Sequence, residues 1–309
     1  MYKGYRMSDF RAKKALGQNF INDPQIIEAI VGACSAGPDD TVVEIGPGKG
    51  ALTCTLAERA KRVIAVELDS SVIPLLKGNL AGAPNVEVVN EDILKFDWSR
   101  ISVPAEGTDS ATEKQCSDPH TDAKTEQKPV KPCNSGVLRI VGNLPYYITT
   151  PILLGILEKN VPAKSITVMV QKEVAERICA GPGGKDYGVL SISLQYYADC
   201  SYVLDVPAEY FTPRPKVDSA VVHMTLKKER LLATEEEPQF FALVKKAFSQ
   251  RRKTLVNSLV GYCPASGAAP LQKEDILKAL ESCGIDERRR PETLSIEEFA
   301  ALSRAFLCS

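Results

Sequence analysis

The stretch VVEIGPGKGALT, residues 42–53, decides the fold. It begins as a short apolar run typical of a buried strand and ends in residues with helical spacing. Gly46, Gly48 and Gly50 fall between these two patterns, where glycine permits a tight turn and lets a ligand approach the backbone. The third glycine comes one residue too early for the dinucleotide pattern G-x-G-x-x-G. The stretch alone leaves two interpretations open, a ligand-binding turn and a merely tight strand-to-helix turn.

Strands and helices alternate over the first 180 residues, apart from one polar insertion. Strands are predicted at 40–46, 62–69, 86–92, 137–143 and 165–171, with helices at 23–34, 50–60, 70–80, 150–160 and 172–180. Asp23 is the expected cap of the first helix, with Pro24 at its first position. Two further strands, in 202–211 and 218–228, are predicted to form a hairpin at the sheet edge. The order predicts an α/β fold with a seven-stranded, mostly parallel sheet.

Composition divides the chain into three segments. Residues 1–22 are basic, and residues 23–230 carry the alternating α/β pattern. Within the second segment, residues 101–136 are polar and poor in large apolar side chains, which predicts a solvated, mobile insertion. Residues 231–309 contain only helical patterns and predict a small all-α domain. Its helices are predicted at 237–260, 273–284 and 295–307, the last capped by Thr293 or Ser295.

The bulk composition excludes several classes of protein. The 309 residues are 44% hydrophobic and 25% charged, with a net charge of −1, which is ordinary for a soluble protein. No apolar run approaches the roughly 18 residues of a membrane helix, and no apolar signal core follows the basic N-terminus. Nine cysteines without a CxxC pair indicate reduced thiols in a cytoplasm and no metal site. Only His120 and His223 are present, so a histidine-based mechanism is not expected.

Acidic residues follow the next two predicted strands. Glu67 comes 21 residues after Gly46, where an acid binds the two hydroxyls of a ribose in nucleoside-binding folds. Asp92 ends the third strand and can accept a hydrogen bond from an adenine amino group. Each acid alone is equally explained as a solvated or capping residue. Together with the glycine turn they predict an adenosine-binding crevice, and S-adenosylmethionine suits it better than NAD because a pyrophosphate-type loop is missing.

The fourth predicted strand ends in GNLPYY, beside this crevice. The Asn143 side-chain oxygen and the Leu144 carbonyl can accept hydrogen bonds from an adenine amino group, which makes its nitrogen more pyramidal and reactive. Pro145 stiffens the turn, and Tyr146 offers a stacking face for a base that has left its stack. Tyr147 is left without a function, with packing as the default role. A strand-ending turn with a buried tyrosine is the alternative.

Eight motifs together resemble the ribosomal RNA small-subunit adenine N6,N6-dimethyltransferase family. The resemblance covers nearly the whole chain except residues 101–136. The motifs are LGQNFINDP (16–24), EIGPGKGALT (44–53), VELD (66–69), NEDIL (90–94), GNLPYYITTPIL (142–153), MVQKEVAERI (169–178), YFTPRPKVDSAVV (210–222) and FSQRRKTLVNSL (248–259).

The resemblance implies a Rossmann-like class I methyltransferase domain followed by a helical domain. It implies dimethylation of two adjacent adenosines in the 3′-terminal hairpin of 16S rRNA, by a monomer acting on immature 30S subunits in the cytoplasm. Phe211 is implied to lie over the target adenine, opposite Tyr146. The cofactor, S-adenosylmethionine, is implied to contact Asn19, Ile21, Gly46, Gly48, Glu67, Asp92 and Asn143.

Basic residues are interpreted as phosphate contacts that position RNA without reading its sequence. The alternative is a set of solvated faces. A weaker candidate is Arg288–Arg290, because Asp286 and Glu287 precede it. The predicted RNA-binding residues are Lys13, Lys14, Lys245, Lys246, Arg251, Arg252 and Lys253.

Two competing functions remain open. An erythromycin-resistance-type methyltransferase uses NLPY-type chemistry on adenine of 23S rRNA, but the motifs at 210–222 and 248–259 favour the small-subunit enzyme. A non-catalytic nucleic-acid-binding factor for assembly or transcription is a competitor of another class. The intact set Glu67, Asp92, Asn143 and Tyr146 argues against it.

Overall fold

The computed structural model describes residues 17–101, 136–250, 252–264 and 269–307. The strands in these ranges are β1 Phe20–Ile21, β2 Thr41–Ile45, β3 Arg62–Glu67, β4 Val86–Asn90, β5 Leu138–Asn143, β6 Ala163–Gln171, β7 Ala198–Val206, β8 Phe211–Thr212 and β9 Ser219–Leu226. The α-helices are α1 Pro24–Cys34, α2 Ala51–Ala57, α3 Ile73–Asn79, α4 Thr149–Glu158, α5 Lys172–Cys179, α6 Val189–Tyr197, α7 Glu237–Ala247, α8 Leu255–Leu259, α9 Lys273–Ser282 and α10 Ile296–Leu307.

Seven strands form one sheet in the order β4-β3-β2-β5-β6-β9-β7. The first five are mutually parallel, while β9 pairs antiparallel with both β6 and β7. This confirms the predicted α/β class and the mostly parallel sheet. From β2 the chain winds outward to β3 and β4, then returns to place β5 on the other side. Ligands of such sheets bind at this switch point, outside the carboxyl ends of β2 and β5.

The two predicted edge strands are only partly correct. β7 begins at Ala198 and ends at Val206. The strand stops before Pro207 because proline cannot donate to a strand ladder, and a short 3₁₀ turn follows. Phe211 then belongs to a separate two-stranded sheet, in which β8 pairs antiparallel with β1. Both of these short strands are additions to the prediction. They link the start of the described chain to the segment before β9.

Helix α6 is absent from the prediction. Seven of its nine residues are buried, so the sequence VLSISLQYY lacks the distinct apolar and polar faces that mark a surface helix.

Two of the predicted helix caps are present in the structure. Asp23 accepts hydrogen bonds from the first turn of α1, and Ser295 exchanges reciprocal bonds with Glu298 at the start of α10. Thr293 lies in a preceding 3₁₀ turn and does not cap the helix.

The long helix predicted at 237–260 is interrupted. α7 ends at Ala247, a 3₁₀ turn follows, and α8 begins only at Leu255. Thr254 is extended, and the Leu255 N–H donates 2.9 Å to the carbonyl of Arg289, a contact from another part of the chain. A tertiary contact therefore directs the chain at this interruption. The basic cluster at 245–253 consequently does not lie along one helix.

The larger hydrophobic core continues from one face of the sheet into the C-terminal helices. Tyr196 packs against Phe240 with ring centroids 5.1 Å apart, and its hydroxyl donates to Glu237, which also pairs with Arg230. The predicted boundary at residue 231 thus lies beside a continuous core. A second, smaller core covers the other face, under α1 and α2. No helix in the described part of the chain is long and apolar enough to cross a membrane.

Candidate active site

A cavity of about 540 Å³ opens at the carboxyl ends of β2, β3 and β5. This volume is in the range of small-molecule sites, which run from roughly 300 to 1,000 Å³. The cavity brings together every predicted cofactor-binding and catalytic residue apart from Phe211. These lining residues are Asn19, Ile21, Gly46, Gly48, Glu67, Asp92, Asn143, Leu144, Pro145 and Tyr146.

The glycine turn forms one wall of the cavity. Gly46, Gly48 and Gly50 have φ values of 66°, 56° and 89°, in the left-handed region that glycine adopts without strain. A Cβ atom on Gly48 would lie 2.7 Å from the ring of Phe20, which covers the turn. The turn therefore requires glycine both for its conformation and for the close approach of Phe20.

Glu67 lies at the end of β3 with both carboxylate oxygens oriented by backbone donors. Its Oε2 accepts from the Gly48 N–H at 3.0 Å, and its Oε1 accepts from the Asp69 N–H at 2.8 Å. Burial raises the pKa of this carboxyl, and the two backbone donors oppose that shift. Each oxygen keeps a further lone pair, so the group can accept from two vicinal hydroxyls. Asp92 lines the same cavity, where its Oδ1 accepts from the Leu94 N–H at 3.0 Å.

Asn143 ends β5 and is fixed by the segment before β1. Its Nδ2 donates to the backbone oxygen of Asn19 at 2.8 Å, which commits the amide nitrogen and leaves Oδ1 as the acceptor. The next residue, Leu144, continues the strand geometry through its N–H, which donates 3.1 Å to the carbonyl of Met169. The amide thus enters the site with its orientation already determined by the protein.

The turn after Asn143 is also fixed by hydrogen bonds. The Ile148 N–H donates 3.1 Å to the carbonyl of Pro145, which closes a tight turn around the two tyrosines. The Tyr146 hydroxyl lies 2.6 Å from Ser219 Oγ at the start of β9. Burial raises the pKa of Tyr146. Tyr147 differs, because it is 60% exposed and lines the cavity, so the predicted packing role is wrong.

Phe211 is the one predicted catalytic residue that does not line the cavity. Its side chain is 3% exposed and packs in the smaller core, and β8 pairs it with Ile21. Side chains alternate along a strand, so Phe211 faces inward while the next residue, Thr212, reaches the cavity. The predicted position of Phe211 over a bound target base, opposite Tyr146, stays a prediction.

Comparison with known proteins shows the family to which the chain belongs. The family model described as "Ribosomal RNA adenine dimethylase" matches residues 9–302. The chain belongs to this family. It is 45% identical over 295 residues to the ribosomal RNA small subunit methyltransferase A of Alkaliphilus metalliredigens (strain QYMF), covering 96% of this chain and 92% of that protein. It is 43% identical to the protein of the same name from Clostridioides difficile (strain 630), covering 96% and 91%.

Solved structures agree with the family assignment. A crystal structure of a dimethyladenosine transferase from Plasmodium falciparum matches with a TM-score of 0.70 and 26% identity, covering 94% of this chain and 98% of that one. The crystal structure of the 23S rRNA methyltransferase ErmE matches with a TM-score of 0.64 and 24% identity, covering 93% and 99%. The second match shows a shared fold. The Rossmann-like methyltransferase fold is thus established for this member of the dimethylase family.

A strap of residues 17–22 crosses the dimethylase cavity, and the sequence indicated only two of its members. Gln18 Nε2 donates to Asp69 Oδ2 at 2.9 Å, and the Phe20 ring covers Gly48. Lys49 Nζ lies 5.1 Å from the centroid of the Phe20 ring. The strap connects the glycine turn, the acid loop after β3 and the Asn143 amide. An aromatic residue between Asn19 and Ile21 was the available signal for this role.

Glu44 is a further cavity residue that was not predicted from the sequence. It is 1% exposed near the carboxyl end of β2 and lines the cavity, and its Oε2 has no hydrogen-bond partner among the residues that the structure describes. Burial raises the pKa of Glu44 to about 8, the nearby Thr53 hydroxyl lowers it and the charge of Glu67 raises it. The signal was an acid inside the otherwise apolar run VVEI. A buried carboxyl oxygen without a partner that faces a cavity is a polar group that a bound ligand can satisfy.

Replacement of Glu44 by glutamine is expected to change how stability depends on pH. Because the folded pKa is about 8 and the ordinary value 4.5, the folded state retains a proton that the unfolded chain releases between these values. The free energy of unfolding should fall as pH rises through this window, by up to about 1.4 kcal/mol per unit. Urea unfolding without cofactor at pH 5 to 8 measures the slope. Glu44→Gln should flatten it, Glu87→Gln on exposed β4 should not, and equal slopes in all three proteins would contradict the assignment.

The predicted RNA-binding residues lie apart from the cavity or outside the described ranges. Lys13, Lys14 and Arg251 fall outside them. Lys245 and Lys246 occupy the last turn of α7, and Arg252 and Lys253 follow in the exposed turn before α8.

The candidate Arg288–Arg290 is partly structural. Arg289 donates to Glu298 Oε2 at 2.9 Å and to Thr293 Oγ1 at 3.1 Å, so it joins the segment before α10 to that helix.

Across the described ranges no group of three or more metal-ligating side chains is found. His223 lies in β9, where its Nδ1 is 2.8 Å from the Thr167 hydroxyl.

Proposed function

We propose that the protein transfers methyl groups from S-adenosylmethionine to N6 of two adjacent adenosines in the 3′-terminal hairpin of 16S rRNA. The observation that carries this proposal is the orientation of Asn143, whose nitrogen is bound by Asn19 and whose oxygen is left as an acceptor. The curated relatives at 43–45% identity are named for the small ribosomal subunit, which supports this substrate over 23S rRNA.

The residues of the cavity fit the proposed cofactor. Glu67 presents two oriented oxygens for the ribose hydroxyls, and Asp92 is an acceptor for the adenine amino group. The unpartnered Oε2 of Glu44 suits the positive α-amino group. The glycine turn admits the ligand close to the backbone. When bound, S-adenosylmethionine supplies an electrophilic methyl group attached to a sulfonium sulfur.

The chain's own contribution is to position and activate the adenine. Asn143 Oδ1 and the Leu144 carbonyl accept hydrogen bonds from the two amino hydrogens, so the nitrogen lone pair is drawn out of conjugation and aimed at the methyl group. Tyr146 provides the stacking face, and its hydroxyl is tied to Ser219 so that the ring keeps its place. Pro145 removes one degree of freedom from the turn. Catalysis then rests on alignment of the reactants.

A methyl-transfer assay tests the proposed function. The protein is incubated with labelled S-adenosylmethionine and under-methylated 30S particles, and modified nucleosides are mapped by mass spectrometry. We expect N6,N6-dimethyladenosine at two adjacent positions near the 3′ end of 16S rRNA. Label found only when 50S precursors are supplied would support the 23S alternative. Absence of transfer to either RNA would support a non-catalytic binding factor.

The finer organisation of the chain is part of the same proposal. We assign residues 1–22 to a basic segment, 23–230 to the methyltransferase domain and 231–309 to a helical domain, on the change from α/β to purely helical structure. A monomer is the proposed acting species. Immature 30S subunits in the cytoplasm are the proposed setting.

Charge reversal in the C-terminal domain is expected to weaken RNA binding. If Lys246 and Arg252 contact phosphates, Lys246→Glu with Arg252→Glu should reduce the slope of log K against log salt by about 2, roughly one per lost contact. The matched control is Lys273→Glu with Lys278→Glu, which changes net charge equally on exposed positions of α9. Filter binding of 30S particles at salt concentrations from about 50 to about 300 mM measures the slope. Equal slopes in both double variants would make the turn after α7 an ordinary solvated surface.

A further inference from the structure

Tyr147 is an exposed aromatic ring at the mouth of the cavity. Among the described residues, Tyr147 and Tyr202 are the only aromatic residues that are largely exposed to solvent, with exposed fractions of 60% and 37%. The hydroxyl of Tyr202 is bonded to Asp205 on the edge strand, away from the cavity. Tyr147 instead lines the cavity itself. An aromatic face open to solvent beside a reactive site is a binding surface for a flat group.

The backbone holds Tyr147 in a fixed place. The turn is closed by the Ile148 N–H, which donates to the Pro145 carbonyl, and the Thr149 hydroxyl donates to the same carbonyl at 3.1 Å. Gly17 backs the ring: a Cβ atom built on it would lie 3.5 Å from both Cδ1 and Cε1 of Tyr147. Because the turn fixes the backbone and Gly17 lies against one face of the ring, less conformational entropy is lost when a ligand stacks on the ring than in an open loop.

The two tyrosines of the turn have separate tasks. The Tyr146 hydroxyl is anchored to Ser219, so its ring belongs to the inner wall beside Asn143. Tyr147 is the next residue along the chain and stands at the rim. A nucleotide whose amino group reaches Asn143 is joined covalently to neighbours that must lie at that rim. Tyr147 is therefore placed to meet a neighbouring base, and Tyr146 to meet the reacting one.

We propose that Tyr147 stacks on the base adjacent to the adenosine being methylated and thereby sets the register of the RNA strand. The inference rests on the proposed function, because it assumes an unstacked RNA strand in the cavity. Stacking on an aromatic ring tolerates any base, since every base has a π face. Tyr147 acts on binding and register and makes no contact with the reacting nitrogen, so it is a positioning residue.

Steady-state kinetics on under-methylated 30S particles test this role. Tyr147→Ala should raise the KM for the particles about tenfold, within the roughly 5- to 150-fold expected for loss of one base–aromatic stack. The kcat and the affinity for S-adenosylmethionine should remain within about twofold, and Tyr147→Phe should restore the KM because it keeps the ring. Tyr202→Ala controls for loss of an exposed tyrosine. An unchanged KM, or a loss explained by weaker cofactor binding, overturns the inference.

A fluorescence measurement separates this inference from the proposed function. Under-methylated 30S particles carry 2-aminopurine beside the target adenosine of 16S rRNA, and stacking on Tyr147 should quench its fluorescence more in the wild type than in Tyr147→Ala. Methyl transfer with equal quenching in both proteins overturns the stacking alone. Quenching that depends on Tyr147 without methyl transfer supports the stacking and refutes the proposed function. Failure of the wild type to bind the RNA refutes both.

Discussion

Replacement of Asn143 by alanine is expected to reduce the rate of methyl transfer by about 10²- to 10³-fold, the usual cost of removing one preorganised hydrogen-bond partner from a reacting group. The variant removes the only side-chain acceptor assigned to the amino group of the target adenine. It also leaves the Asn19 carbonyl without the Nδ2 donor that it has at 2.8 Å. Single-turnover transfer to saturating 30S particles measures the effect on the chemical step.

Two further variants make the Asn143 result specific. Asn143→Asp keeps the shape but sets a carboxylate oxygen against the Asn19 carbonyl, so it should lose activity as well. Asn257→Ala removes an exposed asparagine from α8, outside the cavity, and should transfer at the wild-type rate. RNA binding should be nearly equal in all of them. Transfer by Asn143→Ala within tenfold of wild type would refute the acceptor role.

Replacement of Glu67 is expected to have the second large effect, on cofactor binding. Glu67→Ala removes both ribose acceptors and also leaves the Gly48 and Asp69 N–H groups without their partner. Hydrogen bonds to a charged group contribute about 1.5–3 kcal/mol each, so the loss of two should raise the Kd for S-adenosylmethionine by about 100-fold or more. Isothermal titration calorimetry gives the Kd directly.

Glu67→Gln shows whether the backbone donors matter. The amide nitrogen of glutamine would face the N–H of either Gly48 or Asp69, and two donors repel. We therefore expect this conservative change to weaken cofactor binding by about tenfold. Glu87→Gln, on exposed β4, is the control with the same loss of charge. Wild-type affinity in Glu67→Gln would mean that the carboxylate is not needed in its charged, twice-accepting form.

The sequence predicted the features of the fold and of the site that depend on local chemistry. Gly48 needs a left-handed backbone, and Asp23 and Ser295 bond the first turns of their own helices. Glu67 and Asn143 follow strands of clear apolar pattern, and parallel strands bring their ends together. Each of these features is encoded within a few residues of where it acts.

The parts that could not be predicted depend on distant contacts. Phe211 is turned into the core by a two-residue pairing with Ile21, which is too short to leave a pattern in the sequence. The helix break before Leu255 coincides with a bond to Arg289, 34 residues further along the chain. Tyr147 has the same neighbours in sequence whether it packs or projects, and only the assembled turn decides its exposure.

The strap at residues 17–22 has a practical consequence for anyone who handles this protein. It is at once the cover of the glycine turn, the tether of the loop after β3 and the anchor of the Asn143 amide. Trimming by a protease near residue 17, or a bulky fusion partner placed there, would disturb the reacting geometry itself as well as cofactor retention. Affinity tags are better attached after α10, whose last residue, Leu307, is exposed.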